Sequence, residues 1–235
     1  MGGRFGKYGD LKRRRALQRG RKQRAKLAKA EFLSRRSRGR PVPTPKTALH
    51  ATAPKTHKTA VVIIPPGDLW APIQALRKQH DRHFRRWMPH INLLYPFRPV
   101  ASFDHVTPLL AGVCRLIKPF EVQLRRFDFF RHTRQRATCY LAPEPAGPLI
   151  ALHRGLLSTV PDCADAARFA GGFVPHLSLG QTHSRNAAAW CHRWQASWQP
   201  LSFTLEQVHV IWRNDPPDDI FRVGPILSIG KPADK

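Results

Sequence analysis

Two five-residue segments of the chain carry the same pattern of chemistry. Pro89-His90-Ile91-Asn92-Leu93 and Pro175-His176-Leu177-Ser178-Leu179 both read proline, histidine, aliphatic, polar, leucine, and their histidines lie 86 residues apart. Side chains on a strand alternate between faces. His90 and Asn92 are therefore expected to share one face while Ile91 and Leu93 enter a core. His176 and Ser178 stand in the same relation to Leu177 and Leu179. Histidine titrates near neutrality, so a pair can divide the roles of base and acid. In-line attack at phosphorus needs that division. One imidazole takes a proton from water or a ribose hydroxyl, and the other, as imidazolium, gives one to the departing oxygen. The polar residue two positions on lies about 7 Å along the same face, where it can bond a non-bridging phosphate oxygen. His90 and His176 are thus the candidate catalytic pair, and Asn92 and Ser178 the candidate phosphate ligands. Because the two histidines supply both proton transfers, the expected reaction needs no metal and no cofactor. A single His-x-Ser is common on polar strand faces. Two copies, each preceded by proline and each in a matching strand, carry the signal.

The surrounding pattern supplies the elements that must position them. The β-branched run Thr59 to Pro65, ended by Pro65-Pro66-Gly67, reads as a strand and a turn. A helix is expected from Leu69 to about Phe84, a strand over Trp87 to Leu94, and a helix from Ser102 or Asp104 with Val106, Leu109, Leu110, Val113 and Ile117 on its apolar face. Strands follow at 120–129 and 138–141, a helix at 148–160, a strand at 174–179 and a helix at 186–198. Two closing strands are expected, at 203–212 and 221–229. Helix, strand, helix, then two strands occurs twice. This mixed order predicts an α+β fold with helices packed on antiparallel sheets. A pseudo-twofold between its halves would bring both His-x-polar pairs to one cleft.

The paired motifs resemble the 2H phosphoesterase superfamily, which includes the bacterial 2′–5′ RNA ligase-like proteins, the RNA cyclic phosphodiesterases and the A-kinase-anchor-protein-7-like domains. Residues Ala75 to Phe97 are similar to eukaryotic members in particular. The resemblance implies a bilobal fold, with two pseudo-symmetric lobes, antiparallel sheets around a central cleft and helices outside. It implies a reaction that opens or forms 2′,3′-cyclic or 2′–5′ phosphodiester linkages in RNA or nucleotides. His90 and His176 would be the catalytic pair and Ser178 a phosphate ligand. Asn92 departs from the Ser or Thr of the broad family. Its amide NH2 can still donate to a phosphate oxygen. It could also tune substrate choice, or mark a phosphate-binding protein without catalysis. Three functions stay open: a metal-independent phosphodiesterase, a non-catalytic RNA- or RNP-associated protein, and a 2′–5′ RNA ligase.

Charge divides the 235-residue chain. The net charge is +25, and residues 1–59 alone hold 19 basic and 2 acidic side chains. This segment is poor in large apolar residues, so it cannot bury enough surface to offset the entropy of ordering. Residues 1–58 are therefore expected to be a disordered basic arm with a proline-rich linker, and residues 59–232 the folded, monomeric domain. The clusters Lys12-Arg13-Arg14-Arg15 and Arg21-Lys22-Gln23-Arg24-Ala25-Lys26 suit contact with RNA or an RNP, with Leu11 to Leu33 becoming helical on binding. The same clusters serve as a nuclear or nucleolar address, and an Arg-rich, acid-poor segment also suits a mitochondrial presequence; a cytoplasmic location stays open beside these. No apolar run approaches the ~18 residues of a membrane span. Cys114, Cys139, Cys163 and Cys191 form no CxxC pair, which points to reduced thiols rather than a zinc site or a disulfide scaffold.

Secondary candidates surround the motifs. Arg98 and His183, each just past one motif, are possible substrate contacts. His80-Asp81 has the form of a metal-phosphohydrolase dyad without the other ligands, so a surface or packing role is expected. Arg125, Arg126, Arg131, Arg134 and Arg136, interleaved with Phe127, Phe129 and Phe130, suggest an RNA-tracking surface, although alternation puts Phe127 and Phe129 on one face, as core.

Overall fold

The computed structural model describes residues 53–169 and 171–230. The basic arm, the helix expected on RNA and most of the proline-rich linker lie outside the described residues. Among the described residues eight strands and four α-helices follow in the order β1 Thr59–Ile63, α1 Trp70–His80, β2 Ile91–Leu94, α2 Phe103–Arg115, β3 Phe120–Arg131, β4 Ala137–Glu144, α3 Ala146–Thr159, β5 Leu177–Thr182, α4 Ala187–Ser197, β6 Leu201–Leu205, β7 Gln207–Trp212 and β8 Arg222–Ser228. The fold is α+β, as expected.

The strands form one sheet in the order β6-β3-β4-β5-β2-β1-β7-β8, with every neighbouring pair antiparallel. It consists of two four-stranded halves, β6-β3-β4-β5 and β2-β1-β7-β8. They meet at the two motif strands, where Ile91 of β2 pairs with Leu177 of β5. One face of the sheet carries the main core. Ile91, Leu177, Leu141 and Phe127 from the strands pack there with Ile73 of α1, Leu110 of α2, Leu149, Leu152 and Leu156 of α3 and Trp194 of α4. Each fully buried aliphatic side chain in such a layer contributes about 1.5–3 kcal/mol. On the other face Ala60, Val62, Ile211 and Phe221 form a smaller cluster with Trp87, Met88 and Tyr95.

Three differences from the sequence expectation stand out beside shifts of a few residues at strand ends. First, α1 ends at His80 rather than near Phe84, because the Asp81 backbone turns extended (φ −101°, ψ 108°). The Asp81 carboxylate accepts the His83 backbone N–H at 2.9 Å, a local bond that competes with continuing the helix. Second, the single strand expected over 203–212 is two strands on opposite halves of the sheet. β6 pairs with β3 and β7 with β1, and the switch falls at Glu206 and Gln207, where two consecutive exposed residues break the alternation. Third, residues just before Thr59 are part of the fold. Thr56 and Phe97 exchange backbone bonds at 2.7 and 3.2 Å, and Lys55 pairs with Asp165 and donates to the Asp162 carbonyl.

A close contact ties the two motif regions together. Gly180 of β5 lies against the end of α1, so that a Cβ there would sit 2.5 Å from the His80 Cβ and 2.8 Å from its carbonyl oxygen. Only glycine lets the strand carrying the second motif reach the helix that leads into the first.

Candidate active site

Both histidines stand at the mouths of their strands rather than within them, and each is held in the same way. The His90 Nδ1 lies 2.8 Å from the carbonyl of Met88, and the His176 Nδ1 lies 2.8 Å from the carbonyl of Val174. A carbonyl can only accept, so each Nδ1 carries the proton and each Nε2 is the nitrogen free to exchange one. The partner is two residues upstream in both cases. Pro89 and Pro175, both buried, stand between histidine and carbonyl and fix the turn that makes this bond.

The sheet register sets what the histidines face. Because Ile91 pairs with Leu177, an antiparallel ladder places His90 opposite Ser178 and Asn92 opposite His176. The two histidines are then diagonal neighbours, roughly 7–8 Å apart at Cα. Directly paired residues share a face, so the site extends across the sheet in two rows. Ser178 pairs with Tyr140 and Tyr140 with Asp128. Asn92 pairs with Val62, Val62 with His209 and His209 with Ile226. All four motif side chains therefore lie together on the face opposite the main core.

Aromatic rings clamp each imidazole. Trp87 stacks on His90 with centroids 4.5 Å apart and planes at 16°, and is itself backed by Phe221 at 3.7 Å. His176 receives Phe130 edge-on at 4.9 Å and Tyr140 at 5.5 Å, and these two rings stack at 4.4 Å. This packing sets the electrostatics. Burial pulls the His90 pKa down to about 4; Arg77 and His176 add to the shift, while the Met88 bond and Asp81 oppose it. Burial likewise lowers His176, with His132 adding and the Val174 bond opposing. Burial thus favours the neutral form of both imidazoles. An anionic phosphate between them would reverse the field and favour protonating one.

The His90 shift has a consequence for stability. An unfolded histidine titrates near 6.5, so between that value and about 4 the unfolded chain binds a proton that the folded chain refuses. Stability contributed by neutral His90 is complete above pH ~6.5 and is lost as pH falls toward 4. Thermal unfolding midpoints measured across that window should fall on acidification, and His90→Gln should fall less steeply. An identical slope in the variant would show that His90 is not the depressed group.

The other predicted site residues divide. Asn92 donates its Nδ2 to the His90 Nε2 at 3.1 Å, and its Oδ1 is buried without a hydrogen-bond partner. Its amide is therefore engaged with the reactive nitrogen. Arg98 is 1% exposed. Its guanidinium binds the Ala53 carbonyl and the Asp162 carboxylate, tying the chain before β1 to the turn after α3, and is not brought to the motif face. His183 stays in the turn before α4, where its Nδ1 accepts the Arg185 N–H at 3.3 Å. His80 packs at a tilt against Trp190 and Trp194, with ring centroids 4.5 and 5.2 Å away. Among the described residues no group of three or more His, Cys, Asp or Glu side chains is placed to hold a metal ion.

The structure adds residues the motifs did not point to. A cavity of about 530 Å³ opens beside Asn92 and His176 and is lined further by Tyr95, Phe130, Arg131, His132, His153, Arg168, Phe169 and Phe173. A larger groove of about 840 Å³ on β3 and β4 contains neither histidine. His153 of α3 lies parallel to Phe173 at 3.9 Å and its Nδ1 donates to the Leu93 carbonyl at 2.9 Å. In sequence it is one polar residue in an apolar helix, with no signal of its own. The ion pair of Arg77 and Asp81 is almost wholly buried, at 2% and 4% side-chain exposure. Arg77 also donates to the Trp87 carbonyl at 3.0 Å, and Asp81 accepts from Gln181 of β5 at 3.2 Å. The pair holds the turn that presents Trp87 and His90.

Comparison with known proteins identifies the lineage of this arrangement. The sequence profile of the 2′-5′ RNA ligase superfamily matches residues 65–217, a span that includes both motifs. The chain belongs to the 2′-5′ RNA ligase superfamily. A superfamily relative in Geobacillus kaustophilus, named as a phosphoesterase, is 30% identical over 131 residues, which is 53% of this chain and 69% of that one. A phosphoesterase-named protein of Geobacillus thermodenitrificans is 29% identical over 125 residues, with the same coverage of 53% and 69%. Two solved structures share the fold. The Escherichia coli LigT complex with 3′-AMP aligns with a TM-score of 0.52 at 16% identity, covering 74% of this chain and 99% of that one. TT0787 of Thermus thermophilus aligns with a TM-score of 0.50 at 21% identity, with the same coverage.

Proposed function

We propose that this superfamily member is a metal-independent phosphodiesterase that opens 2′,3′-cyclic or 2′–5′ phosphodiester linkages of RNA or nucleotides, with His90 and His176 as base and acid. The observation that carries the reading is the mirrored pair of Nδ1-to-carbonyl bonds, which leaves two Nε2 atoms of one face at matching positions across the Ile91–Leu177 pair. Opening a cyclic phosphate needs one proton removed from water and one delivered to the departing ribose oxygen. One neutral imidazole takes the first as the water oxygen bonds to phosphorus. The other, protonated beside the substrate anion, supplies the second as the ring P–O bond breaks. Ser178, on the face between them, can donate its hydroxyl to a non-bridging oxygen. Asn92 can turn its amide from His90 to phosphate as substrate enters. The relatives' naming as phosphoesterases and the 3′-AMP held by E. coli LigT are in keeping with this substrate class.

The test is incubation of the full chain with 2′,3′-cyclic nucleotides and with an RNA ending in a cyclic phosphate, in excess chelator. Conversion to a monophosphate ester is expected in both. Absence of product from both, and from a 2′–5′-linked dinucleotide incubated beside them, would leave the phosphate-binding reading in its place.

A further inference from the structure

The β3–β4 hairpin extends the site away from the histidines, and its tip has a composition the opening of a cyclic phosphate does not require. Residues 131–136 contain Arg131, His132, Arg134 and Arg136, all exposed, and no acid. The sequence placed these arginines in one set with Arg125 and Arg126, but the structure separates them. Arg125 and Arg126 are neutralised by Glu144 and Asp128, whereas among the described residues Arg131, Arg134 and Arg136 form no ion pair. Nearby aromatics separate in the same way. Phe127 is core, packed on Trp194 and Trp198, while Phe130 faces His176.

The tip is fixed rather than loose. Ser184 donates to the Thr133 carbonyl at 2.6 Å, seating the turn on the chain after β5. The Thr133 Oγ1 accepts the N–H groups of Gln135 and Arg136, both at 3.1 Å, and the Arg136 carbonyl accepts those of His132 and Thr133. Its backbone is thus presented in a set conformation, so little loop entropy is lost when its arginines bind. The tip is also continuous with the chemistry. Phe130, Arg131 and His132 line the cavity that contains His176 and Asn92, and Arg134 lies at most roughly 13 Å beyond Phe130 along the strand. At about 530 Å³ the cavity holds one nucleotide, with ring faces at Phe130, Phe169 and Phe173 for a base. Arg134 and Arg136 lie outside its lining, where a free nucleotide has nothing to offer them and the next phosphates of a strand do.

We propose that the tip of the β3–β4 hairpin is a phosphate-tracking site for an RNA strand whose end is processed at His90 and His176, so that a polynucleotide end is preferred over a free cyclic nucleotide. The inference rests on the phosphodiesterase reading, and the test separates the two. Wild type and an Arg134→Gln, Arg136→Gln variant, both as the full chain, are compared on a cyclic-phosphate-ended oligoribonucleotide and on a 2′,3′-cyclic mononucleotide. The basic arm is common to both proteins, so their difference reports the hairpin alone. Wild-type kcat/KM for the oligomer should exceed that for the mononucleotide and fall with salt. The variant should lose about 1.4 from the logarithmic salt slope, or roughly sevenfold less change between 50 and 200 mM, with mononucleotide kinetics unchanged. Equal wild-type preference for the two substrates, or an oligomer advantage and salt slope unchanged in the variant, overturns the tracking site. If neither substrate turns over, the cyclic-phosphate form of the phosphodiesterase reading fails instead. Anisotropy with a labelled oligomer bearing a 3′-phosphate then decides the hairpin by itself: weaker binding by the variant supports it, and equal binding overturns it.

Discussion

Replacing either His90 or His176 with alanine is expected to lower turnover of a 2′,3′-cyclic substrate by about 10²–10⁴-fold, the usual contribution of one positioned acid or base. The two losses should not add, because each proton transfer is useless without the other. Their effects on binding should be smaller, since Ser178 and the aromatic walls remain. The fold should survive both changes. Each imidazole is half-buried on the face opposite the main core, and its one backbone bond is to a carbonyl two residues away, so no distant element is hydrogen-bonded through it. Equal far-UV spectra alongside the rate loss would establish this. A variant that keeps wild-type turnover would remove that histidine from the mechanism.

The second large effect concerns stability. Asp81→Ala should destabilise the domain by about 3–5 kcal/mol, because it leaves the Arg77 guanidinium buried and uncompensated. Asp81 also accepts from His83 and Gln181, so its loss frees the turn between α1 and β2 from β5. Urea unfolding measures the cost. A double change to Arg77→Met and Asp81→Leu removes both charges and should recover much of the stability, since a buried pair often gains little over apolar residues of similar size. It cannot restore the bond from Arg77 to the Trp87 carbonyl. Turnover by the double variant should therefore stay below wild type even where stability returns. Full recovery of both would reduce the pair to a packing element, and a loss in Asp81→Ala under 1 kcal/mol would contradict its burial.

The site was legible where it depended on local pattern. The repeated Pro-His-aliphatic-polar-Leu signalled two equivalent strands, and alternation alone predicted that Ile91 and Leu177 enter the core while the polar residues share a face. The α+β class followed from element order. What escaped was set by contacts between residues distant in sequence. The division of 203–212 into two strands reflects pairing with β3 and β1, over 75 residues away in one case and about 150 in the other, and leaves only the weak mark of two exposed residues at 206–207. His153 acts through a carbonyl 60 residues upstream. Arg98 shows the opposite limit. Its place just past the first motif suggested a substrate contact, but nearness in sequence says nothing of direction, and the side chain turns inward to Ala53 and Asp162. Gly180 is similar: its need for glycine comes from His80, a hundred residues earlier.

The account turns on two histidines acting on one phosphodiester. Phosphorus-31 NMR of a 2′,3′-cyclic nucleotide with the full chain in excess chelator tests this most directly. The cyclic resonance should give way to that of a monophosphate ester with wild type, and persist with His90→Ala and with His176→Ala. A cyclic resonance unchanged by wild type, or conversion undiminished in either variant, would contradict it.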